Sequence, residues 1–124
     1  AWLGIVPWCG VFVAHCVKSA GLDIPKGWYR AVDWAKHGKV LTKPCVGCIA
    51  IFAREGGGHV SFVIGVDKYG NLMCLGGNQS DSVKISAFSR NRVIAYRWPS
   101  ISPLDERYNL PILNSDGTLS ANES

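Results

Sequence analysis

Two hydrophobic periods divide the chain. Over residues 9–20 the apolar positions Cys9, Phe12, Val13, Cys16, Val17 and Ala20 recur at three- and four-residue spacing, which predicts a helix capped by Gly21. Pro7 suits its lead-in, because the first-turn N–H groups have no intrahelical partner to lose. Residues 22–27 read as a turn built on Pro25 and Gly27. Residues 28–36 read as a second short helix, apolar at Ala31, Val32, Trp34 and Ala35, with Gly38 after it. Residues 39–43 read as a basic loop closed by Pro44.

From Cys48 onward the period is two. Residues 48–53 form a continuous apolar run, as a strand covered on both faces would. After three glycines, residues 59–66 alternate: Val60, Phe62, Ile64 and Val66 share one face, His59, Ser61 and Val63 the other. Residues 67–71 have hairpin-turn composition, and strands are predicted again over 72–75, 82–88 and 92–98. Two helices followed by about five sequential strands predict an α+β domain, with the helices packed on an antiparallel sheet. That domain is expected to span residues 1–100. Residues 101–124 read as a tail that packs partly through Leu104, Tyr108, Leu110, Ile112 and Leu113, with a frayed end over 120–124.

Composition narrows the class. The chain has 124 residues, 48% hydrophobic and 18% charged, enough for one core and one monomeric domain. It holds no apolar run long enough to span a membrane, and no signal-peptide pattern opens it. It begins at Ala1 and not Met, so the delivery route stays open. Residues 1–100 carry 12 basic against 5 acidic side chains, whereas 101–124 carry 1 against 4. A basic body fits an anionic partner such as a wall polymer as well as it fits a merely soluble surface. No basic motif interleaved with aromatics accompanies it, which disfavours nucleic acid. The five cysteines include Cys45 and Cys48 in a C-x-x-C, read as a local disulfide pinning a loop. No second pair at ligand spacing exists, so neither a metal nor another cofactor is expected.

Candidate chemistry starts at Cys9. A thiol in the first turn of a helix lies at the positive end of the macrodipole, which favours thiolate, although a lone cysteine is more often plain core. His59 opens a strand after three glycines, and a base there can serve a nucleophile. If the helix packs across the sheet, the face bearing His59 is expected to lie against it and meet Cys9. The hairpin then brings the end of the next strand beside His59. Asn78 is the candidate to orient the imidazole, Asp81 the alternative and Gln79 a third choice. Each has a bland reading as a turn residue. His15 and His37 read as surface or structural. Trp8, Trp28 and Trp34 are candidate cleft walls, although tryptophans at helical spacing are more often core. Trp8, Gly10, Gly58 and Ser61 are the candidate substrate contacts.

The ordered set Pro7-Trp8-Cys9-Gly10-Val11-Phe12-Val13, Gly57-Gly58-His59-Val60-Ser61-Phe62-Val63 and Leu75-Gly76-Gly77-Asn78-Gln79 resembles the NlpC/P60–CHAP superfamily of papain-like cysteine peptidases and amidases. The likeness covers residues 5–98. It departs at Cys48, near the start of the first strand, where relatives often carry Asp or another polar group. The resemblance implies a peptidoglycan hydrolase acting in the periplasm or cell wall. Its target is an amide of the stem peptide or the bond between muramic acid and L-alanine. Cys9 would be the nucleophile, His59 the base and Asn78 the orienting residue. Lysin, autolysin and injected antibacterial toxin all fit, the last implying an immunity protein as partner. Competing readings are an acyltransferase or protein peptidase on the same fold, and a non-enzymatic wall-binding or inhibitor module.

Overall fold

The computed structural model describes residues 8–54, 57–77, 82–115 and 118–119. Helix α1 (Trp8–Ser19) buries Cys9, Gly10, Val13, Ala14 and Val17, the stripe its spacing predicts. It stops at Gly21, whose φ is +79°. Gly21 N–H bonds Lys18 C=O at 2.9 Å, and Leu22 N–H bonds Val17 C=O at 3.2 Å. This paired pattern closes the helix while Leu22 packs back onto the core. Helix α2 (Ala31–Trp34) is a single turn, shorter than the predicted 28–36. The Trp28 carbonyl, which a longer helix would use, instead accepts the Trp34 indole N–H at 2.8 Å. Arg30 before α2 is extended.

Among the described residues six strands form one antiparallel sheet: β1 (Lys39–Leu41), β2 (Ile49–Arg54), β3 (Gly57–Val66), β4 (Leu72–Gly77), β5 (Val83–Phe88) and β6 (Val93–Trp98), in the order β1-β6-β2-β3-β4-β5. The architecture is the predicted α+β, with a sixth strand where a basic loop was expected. Only Leu41 of β1 is buried. A three-residue edge strand has no room to show a period, and its pairing with β6 is a tertiary event.

The helices cover one face of the sheet, where Ile49, Ile51, Val60 and Phe62 meet Cys9, Val13, Val17 and Trp34. Phe12 and Phe62 meet edge to face at 6.0 Å. The other face gathers Ala50, Phe52, Val63, Leu72, Cys74 and Phe88. The C-terminal segment reaches that face through Tyr108 and Leu110, and Val46 N–H bonds Arg107 C=O at 2.7 Å. Leu113 N–H bonds Val66 C=O at 2.7 Å, and Val66 N–H bonds Pro111 C=O at 2.9 Å. This contact lies beyond a register shift between Val63 and Gly65. The shift turns Val66 to the face opposite Val60 and Phe62, against strict alternation. The end predicted to fray, 120–124, lies outside the described residues, as do Pro7 and the middle of the glycine connection, 55–56.

Candidate active site

Cys9 occupies the second position of α1 and is only 1% exposed, packed in the cluster that includes Val60 of β3. Gly10 lets the helix start this close. A Cβ there would sit 2.8 Å from the Trp28 carbonyl oxygen and 3.0 Å from that of Tyr29. Predicted as a substrate contact, Gly10 is instead buried against backbone. Gly58, a second predicted contact, faces α2, its Cβ position 3.2 Å from Ala31 Cβ. Ser61, a third, is fully buried, its hydroxyl beside the Cys74 thiol. Trp8, the fourth, is half-buried at the end of β4.

His59 lies in the first half of β3 and is 2% exposed. Its side chain occupies the face opposite the helices, correcting the expectation that this face meets α1. Val60 and Phe62 meet the helix instead. Alternation separates the two faces but does not say which one the helices cover, and both faces of β3 are apolar enough to be buried. The imidazole stacks on Phe88 at 5.0 Å and leans on Phe52 at 5.8 Å, and the two phenyl rings stack at 4.5 Å. Phe52 stands directly across from His59 in the β2–β3 register. The Arg92 guanidinium lies 5.5 Å from the Phe88 ring centre. Three near-parallel rings and a cation thus fix the imidazole plane, a support the sequence reading missed.

The end of β4 links the two candidate groups. A Cβ on Gly77 would lie 2.5 Å from Trp8 Cδ1 and 2.9 Å from the Trp8 carbonyl oxygen, against the residue preceding Cys9. A Cβ on Gly76 would point the other way, 3.8 Å from His59 Nε2. Two consecutive glycines therefore border the helix start on one side and the imidazole on the other. Beyond them lies a narrow recess with about 10 Å³ of water-accessible space, lined by His59, Cys74, Gly76, Lys84, Ser86 and Phe88. Asn78 and its alternatives Gln79 and Asp81 lie outside the described residues.

The other cysteines are poor nucleophiles. Burial pushes the Cys48 and Cys74 thiols up to about 12 each, and raises Cys16 and Cys45 as well. Cys45 and Cys48 are both unbridged thiols, so the expected disulfide between them is not formed. Hydrogen bonds hold that loop: Cys45 N–H to Cys48 Sγ at 3.4 Å and Gly47 N–H to Val63 C=O at 2.7 Å. His15 is exposed, and His37 Nε2 bonds Asp23 C=O at 2.8 Å, so neither belongs to the site. Trp34 is core at 0% exposure and not cleft wall, and Trp28 packs partly on the same cluster. Among the described residues no helix is long and apolar enough to cross a membrane.

No curated protein and no solved structure matches the chain. The CHAP domain family matches it over residues 4–78, a stretch that holds α1, both candidate groups and all of β4. With more than half its length in that match, the chain belongs to the CHAP domain family, whose members are generally hydrolases acting on peptidoglycan.

Proposed function

We propose that the chain hydrolyses an amide bond of the peptidoglycan peptide by a thiol mechanism. Cys9 is the nucleophile and His59 the proton carrier. The observation that carries this reading is the β4 end, where Gly77 abuts Trp8 beside Cys9 while Gly76 abuts His59 Nε2. Gly76 and Gly77 are consecutive, so the helix start and the imidazole flank the same end of β4 from its two faces.

The Cys9 thiolate attacks the amide carbonyl, and the charge developing on the oxygen is met by backbone N–H groups of the first turn of α1. The imidazolium of His59 gives its proton to the departing amine, leaving a thioester on Cys9. The neutral imidazole then takes a proton from water, which attacks the thioester and frees the cysteine. Asn78 orients the imidazole, with Asp81 the alternative. Release of the chain's target requires delivery to the periplasm or cell wall.

Purified sacculi provide the test, read by loss of turbidity and by mass spectrometry of released muropeptides. Replacing Cys9 with Ala is expected to lower the rate by about three orders of magnitude or more. Hydrolysis that survives Cys9→Ala overturns the mechanism. Muropeptides of unchanged mass overturn the activity and favour a wall-binding module.

A further inference from the structure

Two glycines flank the candidate groups along the chain, Gly10 after Cys9 and Gly58 before His59. Both meet the same short segment, residues 28–32. A Cβ on Gly10 would lie 2.8 Å from the Trp28 carbonyl oxygen and 3.0 Å from that of Tyr29. One on Gly58 would lie 3.2 Å from Ala31 Cβ and 3.9 Å from Val32 Cγ1. The segment therefore touches the start of α1 with one side and the start of β3 with another, and glycine at each contact permits the close approach. Its own bonds stiffen it. Arg30 N–H bonds Gly27 C=O at 2.8 Å, and Asp33 N–H bonds Arg30 C=O at 3.1 Å. The Arg30 guanidinium also bonds the Asp33 carboxylate at 2.8 Å, on the surface, where such a pair adds little. The interior tie is Trp34. It is fully buried, and its indole N–H reaches the Trp28 carbonyl at 2.8 Å, the same oxygen that abuts Gly10.

We infer that Trp34 is a positioning residue of this site: by holding the Trp28 carbonyl it fixes where segment 28–32 stands, and so how the start of α1, with Cys9, is set against the start of β3, with His59. This rests on the hydrolase reading above. Backbone meets backbone at Gly10, so no flexible side chain there absorbs a shift of the Trp28 carbonyl, and close packing passes the shift to the helix start. The direction of yielding is also set. Tyr29 and Val32 are exposed on the outer side of the segment, so it moves toward solvent once the indole bond is lost.

Trp34→Phe removes the N–H and keeps most of the ring. It is compared with Leu41→Ala, a buried change on the β1 edge, which β6 and β2 separate from β3. Both are assayed at a temperature where they stay folded, by kcat and KM on a soluble muropeptide. The rate at which iodoacetamide labels Cys9 is read on the Cys9 peptide by mass spectrometry. Trp34→Phe is expected to lower kcat about tenfold, to leave KM within about twofold and to slow the labelling of Cys9. Leu41→Ala should leave all three near native. Gly58→Ala tests the other contact of the segment without removing core atoms. Its kcat should fall, and Ala31→Gly in the same chain should recover part of it, since the Phe52 carbonyl oxygen at 3.1 Å still crowds the new methyl. Equal kcat for Trp34→Phe and Leu41→Ala, a loss confined to KM, or a Gly58→Ala chain that Ala31→Gly does not improve overturns the inference. A native chain without turnover sinks the hydrolase reading. Turnover by the native chain that Trp34→Phe matches sinks the role of Trp34 alone.

Discussion

Gly77→Ala is the sharpest probe of how the sheet positions the helix start. The added Cβ would lie 2.5 Å from Trp8 Cδ1, 2.7 Å from Nε1 and 2.9 Å from the Trp8 carbonyl oxygen, where ordinary contact begins near 3.4 Å. The indole can rotate away, but the carbonyl is main chain and must retreat by about half an ångström, taking Cys9 with it. Overpacking of this kind costs about 1–3 kcal/mol. The lower chain entropy of the unfolded alanine form offsets about 0.4–1 kcal/mol of that. A net loss of about 1–2 kcal/mol in a domain of this size lowers Tm by roughly 4–8 °C. Activity should fall further than stability alone predicts, because sub-ångström misplacement of a reacting group costs on the order of tenfold to a hundredfold. Gly70→Ala is the control. Gly70 has nothing within 4 Å of its Cβ position but a φ of +86°, so alanine there is strained by about 1 kcal/mol and lies far from α1 along the β3–β4 hairpin. Calorimetry gives Tm and muropeptide release gives the rate at a temperature where all forms stay folded. If Gly77→Ala keeps native Tm and rate, or if Gly70→Ala loses as much activity, then Gly77 does not position Cys9.

Two further outcomes follow from the same geometry. Burial opposes ionisation of Asp67, but bonds from the Asn71 and Tyr69 N–H groups at 2.9 Å and the Asn71 amide at 3.1 Å outweigh it and hold the carboxyl below its ordinary value. A depressed folded value stabilises above the unfolded value near 3.9 and is lost as pH falls through the folded one. The stability gap between the native chain and Asp67→Asn should therefore be widest above about pH 5 and close as pH drops below 4. A gap that stays constant across that range refutes it. Trp34→Phe removes the indole N–H bonded to Trp28 C=O and part of a fully buried side chain, and should cost about 2–3 kcal/mol by denaturant unfolding. A loss under about 0.5 kcal/mol would mean that the Trp28 carbonyl finds another partner.

Much of this architecture is written locally. Three- and four-residue spacing with Gly21 after it specifies α1, because a helix stripe and its cap are short-range properties. Alternation from His59 and the Asp67–Asn71 turn specify the β3–β4 hairpin, where the side chain of Asp67 ties its own turn together. The CHAP family match over residues 4–78 needs no coordinates. Tertiary structure decided the rest. Alternation gives two faces with no sign attached, so only packing could place His59 opposite the helices, among Phe52, Phe88 and Arg92. The β1 edge exists through its pairing with β6, and Val66 changes face through a register shift that no period reveals. Short-range sterics determine elements one at a time, whereas a site depends on which faces and strand ends the whole sheet brings together.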